Sequence, residues 1–142
     1  MKVSAHCGGF CQTNGYLVET TEGSVAIDAP EGMFNFCKQR NCKPTGLLLT
    51  HQHFDHIEDV SLFQQAGVRI YASAPFSPEL QLTDLAAKWG IPLACPEFSV
   101  DEVFTAETSP IEINGIEFEP IPVPGHSPDS FVFHVALFQK LF

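Results

Sequence analysis

The chain has 142 residues, 17 of them acidic and 7 basic, for a formal net charge of −10. That length suits one domain over residues 1–142, and a 44% apolar content supports a sizeable core, which excludes a disordered chain. The negative field repels phosphate backbones and excludes nucleic acid as a general partner, and no stretch approaches the roughly 20 apolar residues that a membrane span needs.

In chain order, residues 2–6 read as a short strand. Residues 15–19 and 24–28 read as two strands joined by the turn Thr20-Thr21-Glu22-Gly23. Pro30 and Gly32 then punctuate the chain. Met33, Phe34, Phe36 and Cys37 lie close to helical spacing and predict a helix over 32–41. Lys38, Arg40 and Lys43 cluster near its end, where cations suit the helix dipole. Residues 46–50, Gly-Leu-Leu-Leu-Thr, form a continuous apolar run that predicts a strand buried on both faces.

A histidine-rich segment follows at once. Beyond it, 57–66 reads as a helix with Ile57, Val60, Leu62 and Phe63 as its apolar stripe, ended by Gly67; 68–72 reads as the next strand. Ser77 is a candidate cap for a helix over 79–89 that stops at Gly90 and Pro92. Residues 93–110 are interrupted by proline and leave helix and strand both open. Asn114-Gly115, between 111–113 and 116–121, predicts a type I′ hairpin. Residues 122–128 read as a loop holding Gly125-His126, and 131–138 as a last strand. Buried strands alternating with helices point to a layered α/β architecture.

The 13 phenylalanines read mainly as core. The cysteines Cys7, Cys11, Cys37, Cys42 and Cys95 lack C-x-x-C spacing and read as reduced, mostly buried thiols of a cytoplasmic protein. Met1-Lys2-Val3 leads into polar, glycine-rich sequence, unlike a secretory leader. The apolar ending over 135–142 reads as a truncated chain, or as an edge covered by a partner such as a second copy in a homodimer joined through this strand.

Chemistry concentrates in His51, His53, Asp55 and His56, which lie within six residues and directly follow a buried strand. Layered α/β folds bind ligands at the carboxyl ends of such strands. Alternation along an extended loop sends His51 and His53 to one side, and a turn lets Asp55 and His56 face a neighbouring point. Imidazole and carboxylate suit zinc, and also iron and manganese. A catalytic zinc takes three protein ligands and one open position, so a further ligand must come from elsewhere in the chain. Thr50 reads as a packing residue at the strand end, His6 as a surface residue, and His134 as a packed or edge residue.

His51-Gln52-His53-Phe54-Asp55-His56 matches an H-x-H-x-D-H signature. On that motif, on Asn14-Gly15-Tyr16-Leu17-Val18, on Val25-Ala26-Ile27-Asp28 and on Pro124-Gly125-His126-Ser127-Pro128, the sequence resembles the metallo-β-lactamase-fold hydrolases. Within them it is most similar to the glyoxalase II-like (hydroxyacylglutathione hydrolase-like) branch, which hydrolyses thioesters such as acyl-glutathione. The resemblance implies an α/β fold (α+β in some schemes): an αββα sandwich with mixed sheets, here expected to be incomplete in its second half. It implies that His51, His53 and His126 hold one metal, that Asp55 and His56 hold part of a second, and that Asp28 orients a ligand histidine. Read alone, Asp28 serves equally as a cap before Pro30.

The implied cofactor is one or two zinc ions, with iron or manganese as alternatives. The implied reaction is hydrolysis of a small-molecule thioester or related carbonyl by a metal-activated hydroxide, with Asp55 as the catalytic group that orients or deprotonates the water. Two family features have no counterpart after His134, an aspartate that bridges both metals and a final histidine. Asp129 reads as a turn residue and not as that bridge. The competing readings are a catalytically weak or inactive metal-binding module, a dimerising half-domain, and an iron-dependent persulfide dioxygenase.

Overall fold

Short apolar runs become the strands of two sheets. The computed structural model describes residues 2–93, 97–108, 110–136 and 140–142. Six strands form the first sheet in chain order: β1 (Lys2–Gly8), β2 (Thr13–Glu19), β3 (Ser24–Ile27), β4 (Gly46–Leu48), β5 (Arg69–Ala72) and β6 (Glu102–Val103). The first three are antiparallel, and β3 to β6 run parallel. The second sheet is antiparallel, in the order β10 (Lys140–Leu141), β9 (Phe131–Val135), β8 (Ile116–Pro122), β7 (Ile111–Ile113).

Because successive side chains on a strand point to opposite faces, the first sheet is apolar on both sides. Leu17, Ala26, Leu47 and Ile70 pack against α1 (Met33–Gln39) and α2 (Val60–Gln65) through Met33, Cys37, Val60 and Phe63. Val18, Val25, Ile27, Leu48 and Tyr71 face the other way, onto Phe104 and the second sheet's Ile113, Phe118 and Phe133. Three layers of the expected αββα sandwich, helices on a mixed sheet on a second sheet, are thus present among the described residues.

Several expected boundaries shift for local reasons. The helix expected over 57–66 begins at Val60, because Phe54–His56 winds into a 3-10 turn whose end is pinned: the Ala29 N–H donates to the His56 carbonyl at 2.8 Å. Leu62 is 42% exposed and leaves the expected stripe. The helix expected over 79–89 divides into a 3-10 turn, Pro78–Gln81, and α3 (Thr83–Lys88), because Leu82 adopts a left-handed φ of 56°. Ser77 stands at the N-cap position of the 3-10 turn but makes no side-chain cap bond; its hydroxyl donates to Glu79. Both hairpin turns form as expected, with Asn114 at φ 53° and Gly115 at φ 70°, as a type I′ turn requires.

Expectations about side-chain burial fare unevenly. Cys37 is buried and Cys42 half-buried, but Cys7 and Cys11 are exposed, because they sit on the outer strand and its turn, where little packs over them. Most described phenylalanines are buried or half-buried, while Phe10 is 70% exposed on the β1–β2 turn. Cys95 and the end of the strand expected over 131–138, residues 137 and 138, lie outside the described residues. Among the described residues no helix is long and apolar enough to cross a membrane.

Candidate metal centre

Two loops meet where the sheets open. One leaves β4 and carries residues 50–56; the other joins β8 to β9 and carries His126. A main-chain bond from the Phe131 N–H to the Thr50 carbonyl, 2.9 Å, stitches the start of β9 to the first loop. One ring nitrogen from each of His51, His53 and His126 falls within 4.8 Å of the others. Their ring centroids lie 4.5 Å (His51 to His53), 5.0 Å (His51 to His126) and 4.5 Å (His53 to His126) apart. His51 and His53 are buried, whereas His126 is exposed at the rim.

Asp55 and His56 stand beside this trio. The His56 ring centroid lies 4.1 Å from that of His51, and its Nε2 lies 3.6 Å from Asp55 Oδ2. Thr13, at the start of β2, donates its hydroxyl to the same Asp55 oxygen at 2.5 Å. A cavity of about 460 Å³ opens over Thr13, Asp28, His51, His56 and His126, with Tyr16 and Phe142 along its wall.

Asp28 organises the histidines from below. Its residue takes a left-handed φ of 56°, and its carboxylate bonds to residues of the loop. Oδ1 accepts the Thr50 N–H at 2.8 Å, and Oδ2 accepts both the Thr50 hydroxyl at 2.7 Å and His56 Nδ1 at 2.8 Å. The carboxylate is 3% exposed as a residue and caps nothing. Thr50 is therefore a hydrogen-bonding link and not the packing residue that its place at the strand end suggested.

This network sets two tautomers. The single Thr50 hydroxyl proton goes to Asp28, so Thr50 Oγ1 can only accept at His51 Nδ1, 3.0 Å away. His51 therefore carries its proton on Nδ1 and a lone pair on Nε2. His56, donating Nδ1–H to Asp28, likewise keeps a lone pair on Nε2. His51 Nε2 is fully buried and has no hydrogen-bond partner. An orphaned buried lone pair is costly unless something takes it up, and a metal ion does so.

Charge regulation follows the same geometry. Burial, with His56 next, pushes His51 down to about 4, so its ring is neutral at ordinary pH. Burial, then His126, also lowers His53. Burial opposes charging of His56 too, but the Asp28 hydrogen bond and the nearby Asp28 and Asp55 charges prevail and raise it. Neutral imidazole is the ligating form. The donor set of three converging imidazole nitrogens suits zinc, and equally iron. Cys11, exposed near Asp55, has its thiol raised by burial and by the Asp55 and Glu58 charges, which opposes its use as a nucleophile.

Two residues lock the loops together: Gln52, to which the sequence assigned no role, and Asp129, which it offered only as a turn residue. Gln52 is fully buried: its amide donates to the Ala74 and Pro75 carbonyls, each at 3.0 Å, and accepts the Ser77 N–H at 3.2 Å. Its own N–H donates to Asp129 Oδ2 at 2.9 Å, and the other Asp129 oxygen accepts the Ser127 hydroxyl. Asp129 thus ties the His126 turn to the His51–His53 loop. The alternation that placed two histidines outward also pointed Gln52 inward, so that signal was available. Thr13 gave none, because its partner is 42 residues away. His6 and His134 stand apart, bonded to the Glu31 carbonyl at 2.9 Å and to Glu119 at 3.0 Å.

Known proteins share this fold. The metallo-beta-lactamase superfamily matches over residues 8–137. Hydroxyacylglutathione hydrolase GloC of Haemophilus influenzae is 33% identical over 131 residues, covering 86% of this chain and 60% of its own length. This chain therefore spans about three-fifths of that relative. Among solved structures, TTHA1623 in a di-iron-bound form is 31% identical at a TM-score of 0.77, over 98% of this chain and 70% of that one. BLEG-1 B3 metallo-beta-lactamase superposes at a TM-score of 0.83 with 24% identity, over 99% of this chain and 70% of that one, a likeness of fold. With its motif-bearing segments inside the matched region, the chain belongs to the metallo-beta-lactamase superfamily, a family of metal-binding hydrolases.

Proposed function

We propose that the protein hydrolyses a thioester or related carbonyl compound at a zinc ion held by His51, His53 and His126, with Asp55 and His56 contributing to a second metal. The observation that carries this reading is the buried, unpartnered Nε2 of His51 in a cluster whose ligand atoms lie within 4.8 Å. The substrate class draws on the hydroxyacylglutathione hydrolase relative. When bound, a divalent ion supplies Lewis acidity, bringing the pKa of water near neutrality and stabilising negative charge as it develops on a substrate oxygen.

The chain's own residues do the rest. Asp28 and Thr50 hold His51 and His56 in the tautomers that leave a lone pair on each Nε2. Thr13 occupies one lone pair of Asp55 Oδ2 and fixes that carboxylate, leaving Oδ1 to orient the attacking water and take its proton. Tyr16 and Phe142 give the cavity an apolar wall against which an acyl chain can lie. A second reading of the metal, iron in place of zinc, draws on the di-iron form of the 31% identical neighbour.

Metal content per chain and thioester turnover, measured together, test the proposal. The expected result is bound zinc or iron and turnover that falls to background in His53→Ala. Bound metal with turnover no higher than that variant would instead favour a non-catalytic metal-binding module.

A further inference from the structure

Away from the metal centre, α1 ends in a turn that brings two thiols together. Asn41 adopts a left-handed φ of 55°, its N–H donates to the Lys38 carbonyl at 2.9 Å, and the Cys42 N–H donates to the Cys37 carbonyl at 3.0 Å. This pair of bonds is the Schellman arrangement, in which the side chains of the two residues joined by the longer bond meet, ordinarily as a hydrophobic contact. Here both are cysteines. The direct main-chain bond keeps the two backbones adjacent, as a disulfide requires of its Cα atoms, which lie about 4.4–6.8 Å apart. Both residues line one cavity of about 290 Å³, together with Phe34, Lys38, Lys43 and Ala66.

We propose that Cys37 and Cys42 form a thiol-oxidation site that closes to an intramolecular disulfide when it meets a small-molecule disulfide such as oxidised glutathione. Cys42 is half-buried and reachable, whereas Cys37 is 1% exposed. Burial, then the neighbouring Cys42, pushes the Cys37 thiol up to about 12, so Cys42 reacts first. Its thiolate attacks one sulfur of the small disulfide, forms a mixed disulfide and expels one thiolate. Cys37 then gives its proton to that thiolate or to solvent and attacks Cys42 Sγ, expelling the second thiol. Two electrons and two protons pass from the protein pair to the small disulfide, which leaves as two thiols. Lys38 and Lys43 at the cavity and Arg40 beside it favour the approach of an anionic oxidant.

The test equilibrates the intact chain in mixtures of reduced and oxidised glutathione, quenches in acid, and maps linkages by mass spectrometry of a non-reduced digest. The expected product is a Cys37–Cys42 cross-link, lighter than the dithiol by two hydrogens. It should exceed any other pairing among the five cysteines by about tenfold, because the turn joins these two residues through a direct main-chain bond. In Cys37→Ser, Cys42 should stop at the mixed disulfide. Persistence of the Cys42 mixed disulfide in the unaltered chain, or recovery of both thiols free while other pairs form, would overturn the proposal. The unaltered chain decides the matter even if the variant fails to fold.

Discussion

At the scale of single residues, Asp28 carries most of the site's order. One carboxylate satisfies the Thr50 N–H, the Thr50 hydroxyl and His56 Nδ1, and through Thr50 it also fixes the tautomer of His51. Asp28→Asn replaces an acceptor-only group with one that must also donate, so either Thr50 or His56 loses its partner. The expected outcome is a roughly 10–100-fold loss of metal affinity in a chelator competition, with the fold retained. Affinity equal to the parent's would show that the histidines need no such support.

Protonation of His51 is a second residue-scale expectation. Its folded value of about 4 lies below the ordinary 6.5, so between those limits the unfolded chain binds more protons. The metal-free fold therefore holds this contribution above pH 6.5 and loses it as pH falls towards 4. His56, raised above its ordinary value, contributes in the opposite sense, with stability present at low pH and lost as pH rises through its folded value. Histidine-resolved NMR on metal-free protein should show the His51 ring neutral down to about pH 4. A His51 titration centred near 6.5 would contradict the buried environment.

At the scale of elements, the centre depends on a clamp between two loops. Asp129→Ala would strand the buried Gln52 N–H and free the turn that bears His126. An unsatisfied buried donor costs about 1–3 kcal/mol, which a urea midpoint should register. A stability unchanged within experimental error would mean the loops hold without it. Gly15 offers a steric counterpart: a Cβ there would meet Pro30 Cδ at 2.9 Å, Met33 Sδ at 3.0 Å and the Asp28 carbonyl at 3.2 Å. Gly15→Ala should cost about 1–3 kcal/mol by overpacking, in the same denaturation measurement, and disturb Asp28 with it.

The elements also show what could be read from the chain beforehand. The buried run at 46–50 and the Asn114-Gly115 turn were legible, because continuous apolarity and a positive-φ dipeptide are local signals. The breaks at His56–Asp59 and Leu82 were not, since they answer to contacts with Ala29 and to a single strained dihedral. The convergence of His51, His53 and His126 could be anticipated only through the family resemblance. Local spacing at His51 and His53 says nothing about a turn that lies far along the chain at His126. Asp28 was open between two roles, and its bonds to His56 and Thr50 are long-range facts.

At the scale of the whole molecule, two sheets with a helical layer on one side bring the β4 loop, the β2 start and the β8–β9 loop together. A net charge of −10 surrounds a centre in which burial favours the neutral rings of His51 and His53, so a cation is drawn towards two imidazoles in their ligating form. The proposed chemistry depends on the trio of histidines gripping one ion. A crystal structure of zinc-loaded protein, with anomalous scattering recorded across the zinc absorption edge, tests that most directly. The expected result is a peak about 2.0–2.1 Å from a ring nitrogen of each of His51, His53 and His126. A peak bound elsewhere, or one that the His126 ring does not reach, would contradict it.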